Sequence, residues 1–313
     1  MTVLFCGSPL FAVPSLEAIA ANHEILGVLT NHDRLAGRGK HTQQTPVKTK
    51  ALELGLPLFQ PERIDDVFIN LIKNLNPELL AVAAYGKIFR SNFLDIFSKG
   101  GINLHPSLLP QFRGPSPIPA VILSGHKQSG VTIQRLALGM DSGHILAQER
   151  IGLTGKETTG ALSEKLAVIG AGLFVTMINS LEKDVAKEYA QKEEEASYCK
   201  IIKKDDGLID WGKSADMIER MIRAYNPWPQ AFTNYKGLRL AILSGGVLPE
   251  ERDFSSAGNG EVVGVDKSYG ILVKTGQGML YIEKLQLQSK KPNDWQSFLN
   301  GQRTFIGSFL GGE

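Results

Sequence analysis

A short strand that breaks into a proline-rich loop, residues 101–117, constrains the fold of this chain more than any other segment. Side chains alternate between the two faces of a strand, so Asn103 and His105 are expected on the same face, opposite the apolar residues around them. Pro106 has no N–H for a sheet and disfavours helical geometry before it, so the strand should end at His105. The pattern predicts an amide and an imidazole at the carboxyl end of an apolar strand, where open α/β sheets bind ligands.

An acidic turn follows the next predicted strand. Residues 118–123 predict the start of a crossover helix, residues 131–138 predict a strand, and the turn 139–143 carries Asp141. An amide, an imidazole and a carboxylate at two strand ends suit acyl-type transfer, because they can donate to an oxyanion, move a proton and orient the proton carrier. The alternative is that the amide and the imidazole only cap the strand or support the turn.

Composition indicates a soluble protein with two domains. A length of 313 residues is long for one core, and the hydrophobic and charged contents of 42% and 21% are ordinary. The net charge of +2 does not indicate a nucleic-acid partner, so any such surface must be local. Cys6 and Cys199 provide neither a disulfide framework nor a metal-binding spacing. No leader and no apolar segment of membrane-spanning length are expected, which favours a cytoplasmic protein.

Strand and helix patterns that alternate along residues 1–183 predict an α/β domain with an open, mostly parallel sheet. Only one glycine lies in the first turn, so the dinucleotide-binding fingerprint is absent and NAD is not expected. Residues 184–204 are rich in charge and poor in apolar anchors, and we interpret them as a linker. Apolar runs predict strands of this domain at 2–7, 24–30, 58–59 and 78–85.

Residues 205–313 have a different pattern, with one helix over 214–225 and short β-rich runs separated by glycine. Five such runs predict a small all-β barrel of the oligonucleotide-binding (OB) type, with a plain sandwich as the alternative. A last helix is predicted over 294–300. The runs cover residues 231–235, 238–248, 261–265, 270–274 and 279–287.

A long segment without apolar periodicity, residues 31–46, is expected to be an irregular loop. It carries Arg34, Arg38 and Lys40 against a single acid, Asp33. Composition alone favours a solvated, mobile loop. The more specific hypothesis is an arm that binds phosphates.

The quoted motifs resemble those of the methionyl-tRNA formyltransferases, over essentially the whole chain. The segment 103–110 with Arg113 and Gly114 resembles the signature of formyltransferases that use 10-formyltetrahydrofolate, and 141–143 resembles the acidic turn of their triad. Residues 33–40 resemble the loop that this family inserts into tRNA. Residues 209–211 and 223–229 resemble the start of the family's barrel domain and its following helix end.

The resemblance implies a formyltransferase domain, a linker and an OB-like tRNA-binding domain. It implies transfer of a formyl group from 10-formyltetrahydrofolate to the α-amine of methionyl initiator tRNA, as used in translation initiation, by a monomer and without a metal. By the same resemblance the catalytic residues are Asn103, His105 and Asp141. The folate-binding residues would be Ser107, Leu108, Leu109 and Pro110, with Tyr85, Gly86 and Ile88 from another loop at the same sheet edge, and the tRNA-binding residues would be Arg38, Lys40 and Arg34.

Three other functions are compatible with the sequence. The same donor could formylate an amino sugar nucleotide, and the same three groups could hydrolyse the donor to formate with water in place of the amine. A different class is a non-catalytic tRNA-binding protein, with the barrel and the basic loop as its binding surfaces.

Overall fold

The chain forms two compact units. The computed structural model describes residues 1–36, 41–249, 254 and 256–311. The first unit contains residues 1–117, 128–153 and 162–200, and the second contains residues 118–127, 154–161 and 201–313. The predicted domain boundaries near 183 and 205 stay a prediction.

The first unit is built on one sheet whose strands alternate with helices along the sequence. Its strands are β1 (Thr2–Gly7), β2 (Glu24–Leu29), β5 (Leu58–Phe59), β6 (Leu79–Ala83), β7 (Gly101–His105), β8 (Gln128–Arg135) and β9 (Ile145–Gly152). They form one seven-stranded sheet in the order β5-β2-β1-β6-β7-β8-β9, in which the pairs from β5 to β7 are parallel. The prediction of an open, mostly parallel α/β sheet is confirmed.

Helices follow the strands, and N-cap side chains accept hydrogen bonds from N–H groups at the start of several helices, including two in each unit. Thr45 accepts a hydrogen bond from the backbone of Lys48, and Asp65 accepts one from Phe68, as N-cap residues do. The helices are α1 (Val13–Asn22), α2 (Pro46–Glu53), α3 (Asp66–Leu75), α4 (Ser91–Leu94), α5 (Pro117–Leu123), α6 (Thr159–Glu182), α7 (Ala215–Ala224) and α8 (Trp295–Gly301).

Helix α6 covers the face of β7 opposite Asn103 and His105. A Cβ atom added at Gly170 would lie only 2.5 Å from the Cδ2 atom of Leu104, so glycine is required for this close approach. Helix α6 has 24 residues and contains an 18-residue window with a mean hydropathy of 1.6, so it is long and apolar enough to cross a membrane. The expectation that no apolar segment reaches membrane-spanning length is therefore wrong. Length and composition alone do not indicate a membrane span, because a helix that packs in a protein core can have the same composition.

The direction of β8 corrects the predicted arrangement of the acidic turn. Strand β8 pairs antiparallel with β7, and His105 lies opposite Thr132. The strand also ends at Arg135 rather than at residue 138. Because β8 is antiparallel to β7, its carboxyl end lies beside the start of β7, with Arg135 opposite Ile102, and not beside His105. The chain connecting β7 to β8 begins and ends at the same sheet edge, and the helix within it is therefore not a parallel crossover. Asp141 reaches His105 because residues 136–141 fold back.

The expectation of an irregular loop over residues 31–46 is wrong for part of that segment. Strands β3 (Arg34–Ala36) and β4 (His41–Gln43) form a two-stranded antiparallel ribbon, with Arg34 opposite Gln43. Backbone pairing needs no apolar periodicity, which is why the side-chain pattern did not reveal these strands. The predicted tRNA-binding residues Arg38 and Lys40 lie outside the described residues.

The second unit contains a small antiparallel β-structure, as predicted. Its strands are β10 (Ala231–Tyr235), β11 (Leu238–Val247), β12 (Val262–Asp266), β13 (Gly270–Lys274), β14 (Met279–Leu287) and β15 (Asn293–Asp294), in the order β10-β11-β14-β13-β12, with β15 on β14. The chain end closes the gap between the two edge strands, since Gly311 donates to the carbonyl of Asn234 and Val262 donates to that of Ser308. This closure encloses a core that includes Trp211, whose indole N–H donates to Thr233 at 3.0 Å.

Candidate active site

His105 is a buried imidazole whose proton position is determined by a backbone carbonyl. Only 4% of the residue is exposed, and Nε2 lies 2.9 Å from the carbonyl oxygen of Phe112. A carbonyl oxygen can only accept, so the neutral ring carries its proton on Nε2 and leaves the lone pair of Nδ1 free. His105 is therefore arranged to accept a proton at Nδ1.

Asp141 faces this lone pair. Its Oδ2 lies 3.6 Å from Nδ1 of His105, which is too long for a hydrogen bond. The backbone N–H of Gly114 donates to Oδ2 at 2.8 Å, and the side-chain amide of Gln134 donates to Oδ1 at 2.9 Å. These donors hold the carboxylate where a proton gained by Nδ1 would meet a negative charge.

The environment of His105 keeps the imidazole neutral. Burial lowers the pKa of His105 from its ordinary value of 6.5, while the negative charge of Asp141 and the hydrogen bond to Phe112 oppose part of this effect. A base with a pKa below 6.5 is unprotonated at neutral pH. The ring can therefore take a proton from a substrate without first losing one.

Asn103 lies on the same face of β7 and presents its amide to open space. It is half-buried and opposite Gln134 in the antiparallel pair, so the two side chains share one face of the sheet. Within residues 1–36, 41–249, 254 and 256–311, no acceptor for the Asn103 amide is observed. An unpaired amide beside a neutral imidazole can donate to an oxygen of a bound substrate.

A cavity of about 700 Å³ lies over these groups. This volume is typical of pockets for drug-sized ligands. Asn103, His105 and Asp141 all contribute to its lining, and three apolar side chains at the cavity are largely exposed: Ile88, Leu138 and Met140. Exposed apolar groups around a cavity with a few convergent polar groups are typical of a ligand-binding site.

The structure separates the two loops that the sequence predicts to bind folate. Tyr85, Gly86 and Ile88 line the cavity, and Tyr85 stacks on Phe89 with ring centroids 5.6 Å apart. The four residues of the other loop are outside this lining: Ser107, Leu108, Leu109 and Pro110.

The loop that contains residues 107–110 instead supports the fold around the site. Ser107 donates to the carbonyl of Gln111 at 2.6 Å, and the N–H of Leu109 donates to Thr132 at 3.2 Å. These contacts shape the loop that brings the Phe112 carbonyl to His105. A direct folate contact of this loop remains a prediction.

Sequence reasoning missed two glutamines that touch the acidic turn. Gln134 could have been found from the sequence, because Thr132 and Gln134 are polar residues that alternate with apolar residues on β8. Gln191 donates to the carbonyls of Asp141 and Gly143, yet it lies in the charge-rich segment interpreted as a linker. Nothing local in that segment distinguishes Gln191 from a solvated residue.

Family comparisons bear directly on this arrangement. Residues 1–178 match the family model described as formyl transferase, and residues 201–303 match that described as formyl transferase, C-terminal domain. The chain belongs to the formyl transferase family. The resemblance inferred from the motifs is thereby confirmed.

Individual relatives cover nearly the whole formyltransferase chain. Methionyl-tRNA formyltransferase from Treponema denticola is 40% identical over 316 residues, covering 98% of each chain. The protein of the same name from Chloroflexus aggregans is 42% identical over 303 residues, covering 96% of this chain and 97% of its own.

Solved structures show the same fold at lower identity. The N-formyltransferase from Helicobacter canadensis, in complex with folinic acid and dTDP-3-aminofucose, has a TM-score of 0.68 and 20% identity, covering 90% of this chain and 97% of its own. HypX from Aquifex aeolicus, in complex with tetrahydrofolic acid, has a TM-score of 0.63 and 15% identity, covering 97% of this chain and 48% of its own.

Replacing Asp141 with Asn is expected to lower the pKa of His105 further. The substitution removes the negative charge that favours the imidazolium and leaves burial unopposed by it. An NMR titration of the His105 ring measures the shift directly. His23, whose pKa does not depend on Asp141, provides the internal control. An unchanged or raised pKa of His105 in Asp141→Asn would contradict the geometry described for the pair.

Proposed function

We propose that this formyltransferase transfers a formyl group from 10-formyltetrahydrofolate to the α-amine of methionyl initiator tRNA. Its extended similarity to methionyl-tRNA formyltransferases supports the donor, the acceptor and the reaction together. The observation that carries the chemistry is the neutral base His105 beside an unpaired amide, Asn103, in one cavity. The proposed product, formylmethionyl-tRNA, serves translation initiation.

The acceptor amine needs little activation. A free α-amine has a pKa of about 7.7–8.0, and esterification of the neighbouring carboxyl to tRNA lowers that value, so much of the amine is neutral near pH 7. Nitrogen adds to the formyl carbon, and the carbonyl oxygen becomes an oxyanion. The chain therefore has to stabilise this oxyanion and remove one proton from the attacking nitrogen.

Three side chains meet these demands. The Asn103 amide donates to the developing oxyanion, a role worth about 10²–10³ in kcat where one such donor has been removed. Nδ1 of His105 accepts the proton of the attacking nitrogen, and Asp141 stabilises the imidazolium that results. The proton then passes to N10 of the departing folate as the carbon–nitrogen bond to that atom breaks.

The cavity supports the folate assignment. Its apolar side chains can contact the rings of a folate, and Tyr85, Gly86 and Ile88 form one side of its lining. We add residues of the segment 136–140, including Leu138 and Met140, to the proposed folate-binding set because they line the same cavity.

The tRNA contacts are proposed on charge. Arg38, Arg34 and Lys40 provide three cations in one short segment, and cations that contact phosphates position a nucleic acid without reading its bases. We also propose residues 205–313 as a tRNA-binding domain. We further propose that the protein is a cytoplasmic monomer. The three proposed catalytic groups belong to one unit of a single chain, so the site uses no residue from a second copy.

The purified protein is expected to form formylmethionyl-tRNA from 10-formyltetrahydrofolate and charged methionyl initiator tRNA. Uncharged tRNA and an amino sugar nucleotide serve as parallel acceptors, since neither offers the aminoacyl α-amine. Formylation of the amino sugar alone, or release of formate without an acceptor, would refute this acceptor while retaining the donor site.

Replacing Asn103 with Ala is expected to reduce kcat by about 10²–10³ while folate binding is largely kept, because the amide acts on the oxyanion rather than on the bound donor. Single-turnover formyl transfer and equilibrium folate binding measure the two effects separately. Asn70→Ala, at an exposed position of helix α3, is the matched control and should behave as wild type. Near-normal turnover in folded Asn103→Ala would remove the oxyanion assignment.

Replacing Arg38 with Ala is expected to weaken tRNA binding and to leave folate binding intact. The slope of log K against log salt concentration is negative, and one lost phosphate contact reduces its magnitude by about 1. Salt-dependent tRNA affinity is the measurement, with Arg63→Ala as a control at an exposed arginine in a different loop. Equal slopes for wild type and Arg38→Ala would refute a phosphate contact of Arg38.

A further inference from the structure

Gln191 joins the acidic turn to the segment that follows helix α6. Its Nε2 donates to the carbonyl of Gly143 at 2.7 Å and to that of Asp141 at 2.9 Å. Its Oε1 accepts from Nε of Arg113 at 3.0 Å. Because a guanidinium can only donate, Arg113 determines which end of the amide faces the turn. Both N–H groups of Gln191 are thus available to the catalytic segment.

Arg113 is itself held firmly. The residue is only 1% exposed, and its guanidinium makes a bidentate pair with Glu193 at 2.9 and 2.7 Å. Its NH1 also donates to the hydroxyl of Tyr198 at 3.0 Å. The backbone of Arg113 exchanges hydrogen bonds with Ser197 and Cys199. Bidentate pairs with this geometry are among the stronger side-chain interactions, so Gln191 has a rigid support.

The turn that Gln191 holds needs such support. Asp141 has a φ of +48°, in the left-handed region that costs free energy for a residue with a Cβ atom. A Cβ atom added at Gly143 would lie 1.9 Å from the carbonyl oxygen of Arg135, so the turn passes directly against strand β8. A strained turn keeps its conformation only when its surroundings determine it.

From these contacts we infer that Gln191 is a positioning residue for catalysis, which acts by holding the Asp141 carboxylate toward Nδ1 of His105. Gln191 is outside the lining of the cavity. It acts through the turn and through Gln134, whose Oε1 accepts from Nε2 of Gln191 at 3.4 Å. Arg113 and Glu193 provide the support from which it acts. The inference rests on the proposed formyl transfer, because it concerns the proton that His105 receives in that reaction.

The test replaces Gln191 with Met, which keeps the length of the side chain and removes both its donor and its acceptor without adding charge. In full-length enzyme we expect kcat for methionyl-tRNA formylation to fall about tenfold, less than the 10²–10⁴ that acid–base groups themselves contribute. The KM for the folate donor should change little. The pKa of His105, followed by NMR, should fall, since the Asp141 charge is held less closely.

A double-mutant comparison separates positioning from a general effect on folding. In an Asp141→Asn background, Gln191→Met should cause little further loss of kcat, because the carboxylate it positions is already absent. Equal losses in the two backgrounds, or wild-type kcat in Gln191→Met, would overturn the inference. Gln128→Met, at an exposed glutamine that accepts from Arg150, is the matched control.

Two further measurements keep the outcome clear. If Gln191→Met fails to fold, Glu193→Gln weakens the same support through a carboxylate that is 70% exposed. Its kcat is then measured in the wild-type and the Asp141→Asn backgrounds. If wild-type protein transfers no formyl group, the proposed function fails, while the positioning role is still decided by the His105 titration. An unchanged pKa of His105 in a folded variant would then refute positioning.

Discussion

The hydrogen bond from Nε2 of His105 to the Phe112 carbonyl governs the chemistry of the whole site. Because a carbonyl can only accept, this bond assigns the imidazole proton to Nε2 and leaves Nδ1 as a base. Phe112 lies in the loop after β7 and has a φ of +58°, so the loop follows an uncommon backbone path to bring its carbonyl there. The loop thus does more than end a strand, since its path determines which nitrogen can accept a proton.

The environment of this base combines two opposing effects. Burial favours the neutral imidazole, whereas the negative charge of Asp141 stabilises the imidazolium that forms once a substrate delivers the proton. The separation of 3.6 Å between Oδ2 and Nδ1 is compatible with the neutral and the protonated ring, because Nδ1 has a hydrogen to donate to Oδ2 only when the ring is protonated. Donors from Gly114 and Gln134 keep the carboxylate in place meanwhile. Preorganised polar groups of this kind need little rearrangement during a reaction.

Segments far apart in sequence are needed to build this arrangement. The base comes from β7, the carboxylate from a turn after β8, and the support for that turn from residues around 191–198. The apolar part of the cavity comes from yet another loop, after β6. Polar contacts therefore hold the proton-transfer groups, while largely exposed apolar side chains are left for a ligand to cover.

The sequence by itself determined the α/β class, most strands of both units and the placement of Asn103 and His105 on one face, because these follow from local periodicity and from Pro106. It also indicated Asp141 as a partner. It did not reveal the short strands β3, β4 and β15. Only the tertiary structure decided that β8 runs antiparallel, that the turn folds back to His105 and that Gln191 holds it. Such features depend on contacts between residues distant in the chain, and local patterns carry no record of them.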